Sequence, residues 1–144
     1  MIWQNPKNIR FEDLHIGLVA THQIKISGEL IDLFAKLTGD HHPLHIDKNY
    51  ALKNGFRDRI AHGALISSCA SKLVGMELPG EKAILIGQES EYLKPVYPKD
   101  LLDLIAKIIK IKKSLKLIIV EIEIKNQFSE IVAYLVLKLK IRDN

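Results

Sequence analysis

One cysteine in 144 residues, Cys69, leaves the chain without an internal disulfide. The amino-terminal stretch Met1-Ile2-Trp3-Gln4-Asn5-Pro6 has neither a basic start nor an apolar h-region. Nothing there marks the chain for secretion, and the two absences together read as a cytoplasmic protein. Long hydrophobic runs are also missing. The nearest, Leu115–Val120, is broken by lysines and falls far short of the roughly 18 residues a membrane-crossing helix needs. Aromatic side chains make up only 6% of the sequence. The lysine-rich last third (Lys107, Lys110, Lys112, Lys113, Lys116, Lys138, Lys140) offers just Phe128, Tyr134 and Arg142 beside its lysines. A nucleic-acid surface needs aromatics and arginines there, so nucleic acid is set aside, and the lysines read as solvated strand faces. A formal charge of +4 stays compatible with a phosphate-rich small molecule.

No repeat, low-complexity tract or linker interrupts the chain, so residues 1–144 read as one domain. The hydrophobic share of 47% and the charged share of 26% suit a packed domain. Alternation over Val19–Ser27 predicts a short strand. Leu30, Leu33, Phe34 and Leu37 predict a one-sided helix over Glu29–Leu37, stopped at Gly39. Ile60–Val74 is apolar nearly all round and rich in small residues, which predicts a helix wrapped by other elements. Four strands follow, over Ile84–Lys94, Leu101–Ile111, Leu117–Lys125 and Ile131–Ile141. In the second, the apolar phase shifts at Ile109, which predicts a bulge. The short turns between the last three predict antiparallel neighbours. The expected architecture is α+β: an antiparallel sheet curled around one buried helix, with leftover apolar surface inviting a second copy.

Two polar clusters break this apolar design. Five of the ten residues from Thr38 to Asp47 are His or Asp: Asp40, His41, His42, His45 and Asp47. Three uses compete for them. Asp40, His41, His42 and His45 could hold a metal, although Pro43 spoils the regular helical spacing of histidines. Asp40 could simply accept backbone N–H bonds in a turn. Or Asp40 and His45 could face one point as an acid–base pair sharing a water molecule, each role contributing roughly 10²–10⁴ in rate. Apolar walls around such a pair would raise the carboxyl pKa and lower that of the imidazole. The second cluster is Arg59-Ile60-Ala61-His62-Gly63, just before the long helix. A glycine at a helix start lets a ligand approach free N–H groups, as an enolate-forming reaction on a thioester requires. Alternatively, Gly63 eases packing and His62 fills a polar niche. Cys69 reads as a core residue, because no base or positive charge stands beside it.

In order, Asp40-His41-His42-Pro43-Leu44-His45-Ile46-Asp47, Ala51, Phe56 and Ile60-Ala61-His62-Gly63 resemble the hydratase signature of MaoC-like dehydratases with a hot-dog fold. Within that family they are most similar to the (R)-specific enoyl-CoA hydratases. The likeness runs from about Phe11 to the carboxyl terminus, through Leu78-Pro79-Gly80, Gly87-Gln88 and Pro95-Val96-Tyr97-Pro98-Lys99-Asp100. It implies that Asp40 and His45 activate water and that the Gly63 N–H polarises a thioester carbonyl. It also implies that His62 and Ser71 belong to the substrate-binding surroundings, with Ser71 near the pair. The implied reaction converts trans-2-enoyl-CoA to (R)-3-hydroxyacyl-CoA, without metal or redox cofactor, at sites near a homodimer interface. Dehydration of 3-hydroxyacyl carrier protein and a non-catalytic acyl-thioester-binding subunit are the alternatives. The chain departs from the signature at His42, where the family commonly has Asn, and at Ala64, where it has Met. His42 is expected to take over a hydrogen bond holding the turn.

Overall fold

The computed structural model describes residues 3–143; Met1, Ile2 and Asn144, which the one-domain reading includes, lie outside them. Strand β1 (Val19–Lys25) alternates half-buried and exposed residues as its sequence does. Ser27 then caps helix α1 (Gly28–Thr38): its Oγ accepts the Leu30 N–H at 3.1 Å, satisfying one of the free donors of the first turn. Gly39, in the left-handed region at φ 77°, ends the helix with its N–H on the Ala35 carbonyl.

Two short helices fill the segment expected to be a bare turn. Pro43 starts α2 (Pro43–Ile46), where its fixed φ suits the first helical position and its missing N–H costs nothing. Asp47 closes α2 and caps α3 (Lys48–Lys53), its carboxylate accepting from the Tyr50 N–H. Helix α4 (Gly63–Lys72) runs on into a π-helical turn, Leu73–Glu77.

Strands β2 (Ala83–Tyr92), β3 (Leu101–Lys112), β4 (Leu117–Lys125) and β5 (Ile131–Ile141) complete one antiparallel sheet in the order β1-β3-β4-β5-β2. The expected bulge falls between Ile108 and Lys110, and a second, unexpected one falls between Leu85 and Gly87. On one face of the sheet, Leu102, Leu104, Ala106 and Ile108 join Ile118, Val120, Ile122 and Ile124, and Leu135, Leu137 and Leu139. All are fully buried, against Leu65, Ile66, Cys69, Ala70 and Leu73 of the long helix. Each large aliphatic chain so buried contributes about 1.5–3 kcal/mol.

Two helices differ from expectation. In α1 the buried positions are Ile31 and Ala35, while Leu33 and Leu37 stay exposed. Both sets obey helical spacing, so periodicity alone did not choose between them. Helix α4 is not wrapped on every side, because Ala64, Ser68, Ser71 and Lys72 form an open stripe. Its small residues pack closely against the sheet only on the opposite side.

Candidate active site

Asp40 and His45 converge. His45 and its neighbour Leu44 are each bonded to Ile60: the His45 Nδ1–H donates to the Ile60 carbonyl at 2.8 Å, while the Ile60 N–H donates to the Leu44 carbonyl at 3.0 Å. With Nδ1 committed as a donor, the lone pair lies on Nε2. That atom stands 4.0 Å from Oδ2 of Asp40. The gap exceeds a direct hydrogen bond and suits one water molecule bonded to both groups. Burial lowers the His45 pKa below its ordinary value, and His62 and His42 lower it further. The Ile60 carbonyl and Asp40 work the other way. The net effect keeps the imidazole neutral and basic near neutral pH. Asp40 does not have the apolar walls expected of it: its side chain is 52% exposed. The turn places it at the rim, where its Oδ1 accepts the His42 N–H.

His42 performs the expected substitution for Asn. Its Nδ1 accepts the Leu44 N–H at 3.3 Å and caps α2. His42 is not part of the one group of candidate metal donors found among the described residues. The donor atoms of Asp40, His45 and His62 do gather within 4.8 Å of one another. However, the His45 and His62 rings are stacked, with centroids 3.8 Å apart and planes 26° from parallel. Nitrogen lone pairs lie in the ring plane, so nearly parallel rings cannot both direct them at one ion about 2.0–2.1 Å away. The donor geometry fits a metal poorly.

His62 is not where the substrate-binding expectation put it. It is only 2% exposed, faces away from the cavity beside the pair, and donates from Nε2–H to the Asp40 carbonyl at 3.0 Å. Its other face meets Phe34, with centroids 5.0 Å apart. Gly63 is where it was expected, at the first position of α4 and in the cavity wall. Ser71 is not. It lies exposed near the far end of α4, eight residues and about 12 Å of helix beyond Gly63. This protomer does not bring it to the pair.

The cavity itself, about 310 Å³, is mainly apolar. His45 and Gly63 share its wall with Ile66, Tyr92, Pro95 and Val132. Tyr92 was not singled out by sequence. Its hydroxyl bonds to Oγ of Ser67, one helical turn beyond Gly63, and its ring lies across Gly63 itself. A Cβ at position 63 would stand 2.9 Å from two of the ring carbons. No local pattern signals a contact between residues 29 apart. Cys69 is buried in the core, which pushes its thiol up to about 11. No helix among the described residues is long and apolar enough to cross a membrane.

The model of the MaoC like domain matches residues 15–130. A 3-hydroxybutyryl-CoA dehydratase of Methylorubrum extorquens is 36% identical over 93 residues, 65% of this chain and 59% of that protein. An (R)-specific enoyl-CoA hydratase of Rhodospirillum rubrum is 40% identical over 86 residues, 60% of each protein. The matched segment thus spans less than two thirds of either curated relative. Among solved structures, the R-hydratase PhaJ1 of Pseudomonas aeruginosa superposes with a TM-score of 0.89 at 27% identity. That superposition covers 95% of this chain and 88% of the other, and the shared architecture is the hot-dog fold.

Proposed function

Because the chain belongs to the MaoC-like domain family, we propose that it adds water to a trans-2-enoyl-CoA to give the (R)-3-hydroxyacyl-CoA, and catalyses the reverse dehydration. One observation carries the proposal. A neutral imidazole nitrogen and a carboxylate oxygen stand 4.0 Å apart, and the imidazole shares the wall of an apolar cavity with Gly63, the first residue of a helix. The curated relatives, one named for hydration and one for dehydration of CoA thioesters, support the two directions.

The chemistry follows from these groups. The enoyl chain lies in the cavity with its thioester carbonyl on the Gly63 N–H, a donor left free at a helix start and aided by the helix dipole. Asp40 and Nε2 of His45 hold one water. As the water oxygen bonds to C3, His45 takes its proton, the C2–C3 π pair moves toward the thioester, and charge collects on the carbonyl oxygen. The Gly63 N–H stabilises that oxyanion, an effect worth about 3 kcal/mol for a single donor. C2 then takes the proton from the imidazolium, and the base is regenerated. Asp40 keeps the attacking oxygen oriented and stabilises the transient imidazolium.

The protein is further proposed to work as a homodimer. Among the described residues, edge strand β2 has no partner on its outer side, and Ile84, Leu85 and Ile86 are exposed along it. Such an edge is a pairing surface for a second copy. The open small-residue stripe of α4 is a second surface suited to close contact.

Purified protein supplied with crotonyl-CoA should bleach the enoyl absorbance, and chiral analysis should return the (R) alcohol. Turnover confined to carrier-protein thioesters would move the assignment to a carrier-protein dehydratase. Thioester binding with no turnover on either carrier would leave a binding subunit.

A further inference from the structure

We propose that His62 is a positioning residue, whose ring and single bonded nitrogen hold His45 and Asp40 in register without touching substrate. The kinetic part of this inference rests on the hydratase reading above; the structural part does not. His62 meets both members of the pair. Its ring lies 3.8 Å from that of His45, nearly parallel to it, and Nε2–H donates to the main-chain carbonyl of Asp40. Phe34 of α1 backs the opposite side of the ring. His62 is therefore clamped between α1 and the pair, and neither catalytic group can shift without disturbing it.

The other ring nitrogen sharpens the argument. Nδ1 of His62 is buried and has no hydrogen-bond partner among the described residues. A buried polar atom left unpaired costs about 1–3 kcal/mol. Phenylalanine would avoid that cost and still stack, but it would leave the Asp40 carbonyl without its donor. Glutamine would supply a donor but no flat ring for His45. Histidine provides both the donor and the stacking face in one small ring, and leaves an orphan nitrogen next to the pair. The same contact has an electrostatic side. His62 is one of the groups that disfavour a proton on His45, beside burial and His42, while Asp40 and the Ile60 carbonyl favour it. Lys94, across the cavity, is the other charged side chain lining it.

Two variants separate these contributions. His62→Phe keeps the stack and the burial of His45 but removes the donor. His62→Gln keeps a donor but lets water reach the His45 ring. Both should lower kcat roughly 10–100-fold, the scale of a misplacement of about 1 Å, with KM little changed. Both should move the acid limb of kcat/KM to higher pH, His62→Gln further because it also exposes the His45 ring, with the same displacement in the His45 titration followed by NMR. A raised KM at unchanged kcat would make His62 a substrate ligand and overturn the proposal, as would wild-type kcat in both variants. Should either variant fail to fold, ¹⁵N-histidine spectra of the wild-type protein still decide. They should show a proton on Nε2 of His62, and a ring whose single proton sits on Nδ1 would refute the assignment. If the wild-type protein turns over no enoyl thioester, the hydratase reading fails by itself, while the NMR measurements still judge His62.

Discussion

Replacing Gly63 with alanine adds one methyl group at the point where the proposed oxyanion donor, cavity wall and helix start coincide. The backbone tolerates it: the φ of Gly63 lies outside the left-handed region, and alanine is the better helix former by up to about 1 kcal/mol. The obstacle is Tyr92. The new Cβ would stand 2.9 Å from Cε2 and Cζ and 3.2 Å from Cδ2 of its ring, closer than such atoms approach in well-packed proteins. The ring cannot simply swing aside, since its hydroxyl is bonded to Ser67 on the same helix. Overpacking of this kind costs about 1–3 kcal/mol, which the helix-propensity gain offsets only in part. If relief comes from tilting the helix start, the Gly63 N–H leaves its station, and kcat should fall roughly 10²–10³-fold. A double-mutant cycle isolates the cause. Tyr92→Ala removes all three clashing carbons, so Gly63→Ala should cost less in that background, with a coupling energy of about 1–2 kcal/mol. Steady-state hydration of crotonyl-CoA by the four proteins measures it. Equal losses from Gly63→Ala with and without the Tyr92 ring would refute the reasoning.

Asp40→Asn and His45→Ala should each reduce turnover by about a hundredfold or more while circular dichroism stays native, because Asp40 is half exposed and His45 lies at a cavity wall. Since the folded protein lowers the His45 pKa, the imidazole loses its proton earlier as pH rises. The acid limb of kcat/KM should therefore lie below the ordinary histidine value of 6.5, and a limb above it would contradict the burial argument. His42→Ala removes the cap of α2 and should lower stability by about 1 kcal/mol in urea unfolding, with His42→Asn restoring most of it. Ile86→Lys, on the unpaired side of β2, should yield monomers by sedimentation, and an unchanged dimer would place the interface elsewhere. Cys69, its thiol pushed up to about 11, should resist thiol reagents at pH 8 until the protein is unfolded, with roughly one molecule in a thousand as thiolate.

The strand-rich half was legible because its signals are local. Alternation over Leu101–Ile141 gave the strands, the phase slip at Ile109 gave a real bulge, and short turns gave antiparallel order. The segment around the pair was harder. Pro43 was read as spoiling helical spacing, yet it begins a helix, since proline suits the first helical position. The convergence of Asp40 and His45 was anticipated, but the walls around Asp40 were not found, because exposure depends on what packs from elsewhere. Ser71 belongs to the motif in sequence, yet helix rise carries it away from Gly63. Tyr92 escaped notice for the reason that makes it informative: its partners, Gly63 and Ser67, are distant in sequence and meet it only after the sheet closes on the helix.

Ile60 gives its carbonyl to one side of the α2 segment and its N–H to the other, three residues ahead of Gly63. In the proposed reaction, proton acceptor and charge-receiving amide are consequently bolted to a single short beam of main chain. Whatever moves in the loops around the cavity, those two groups keep the separation this beam sets.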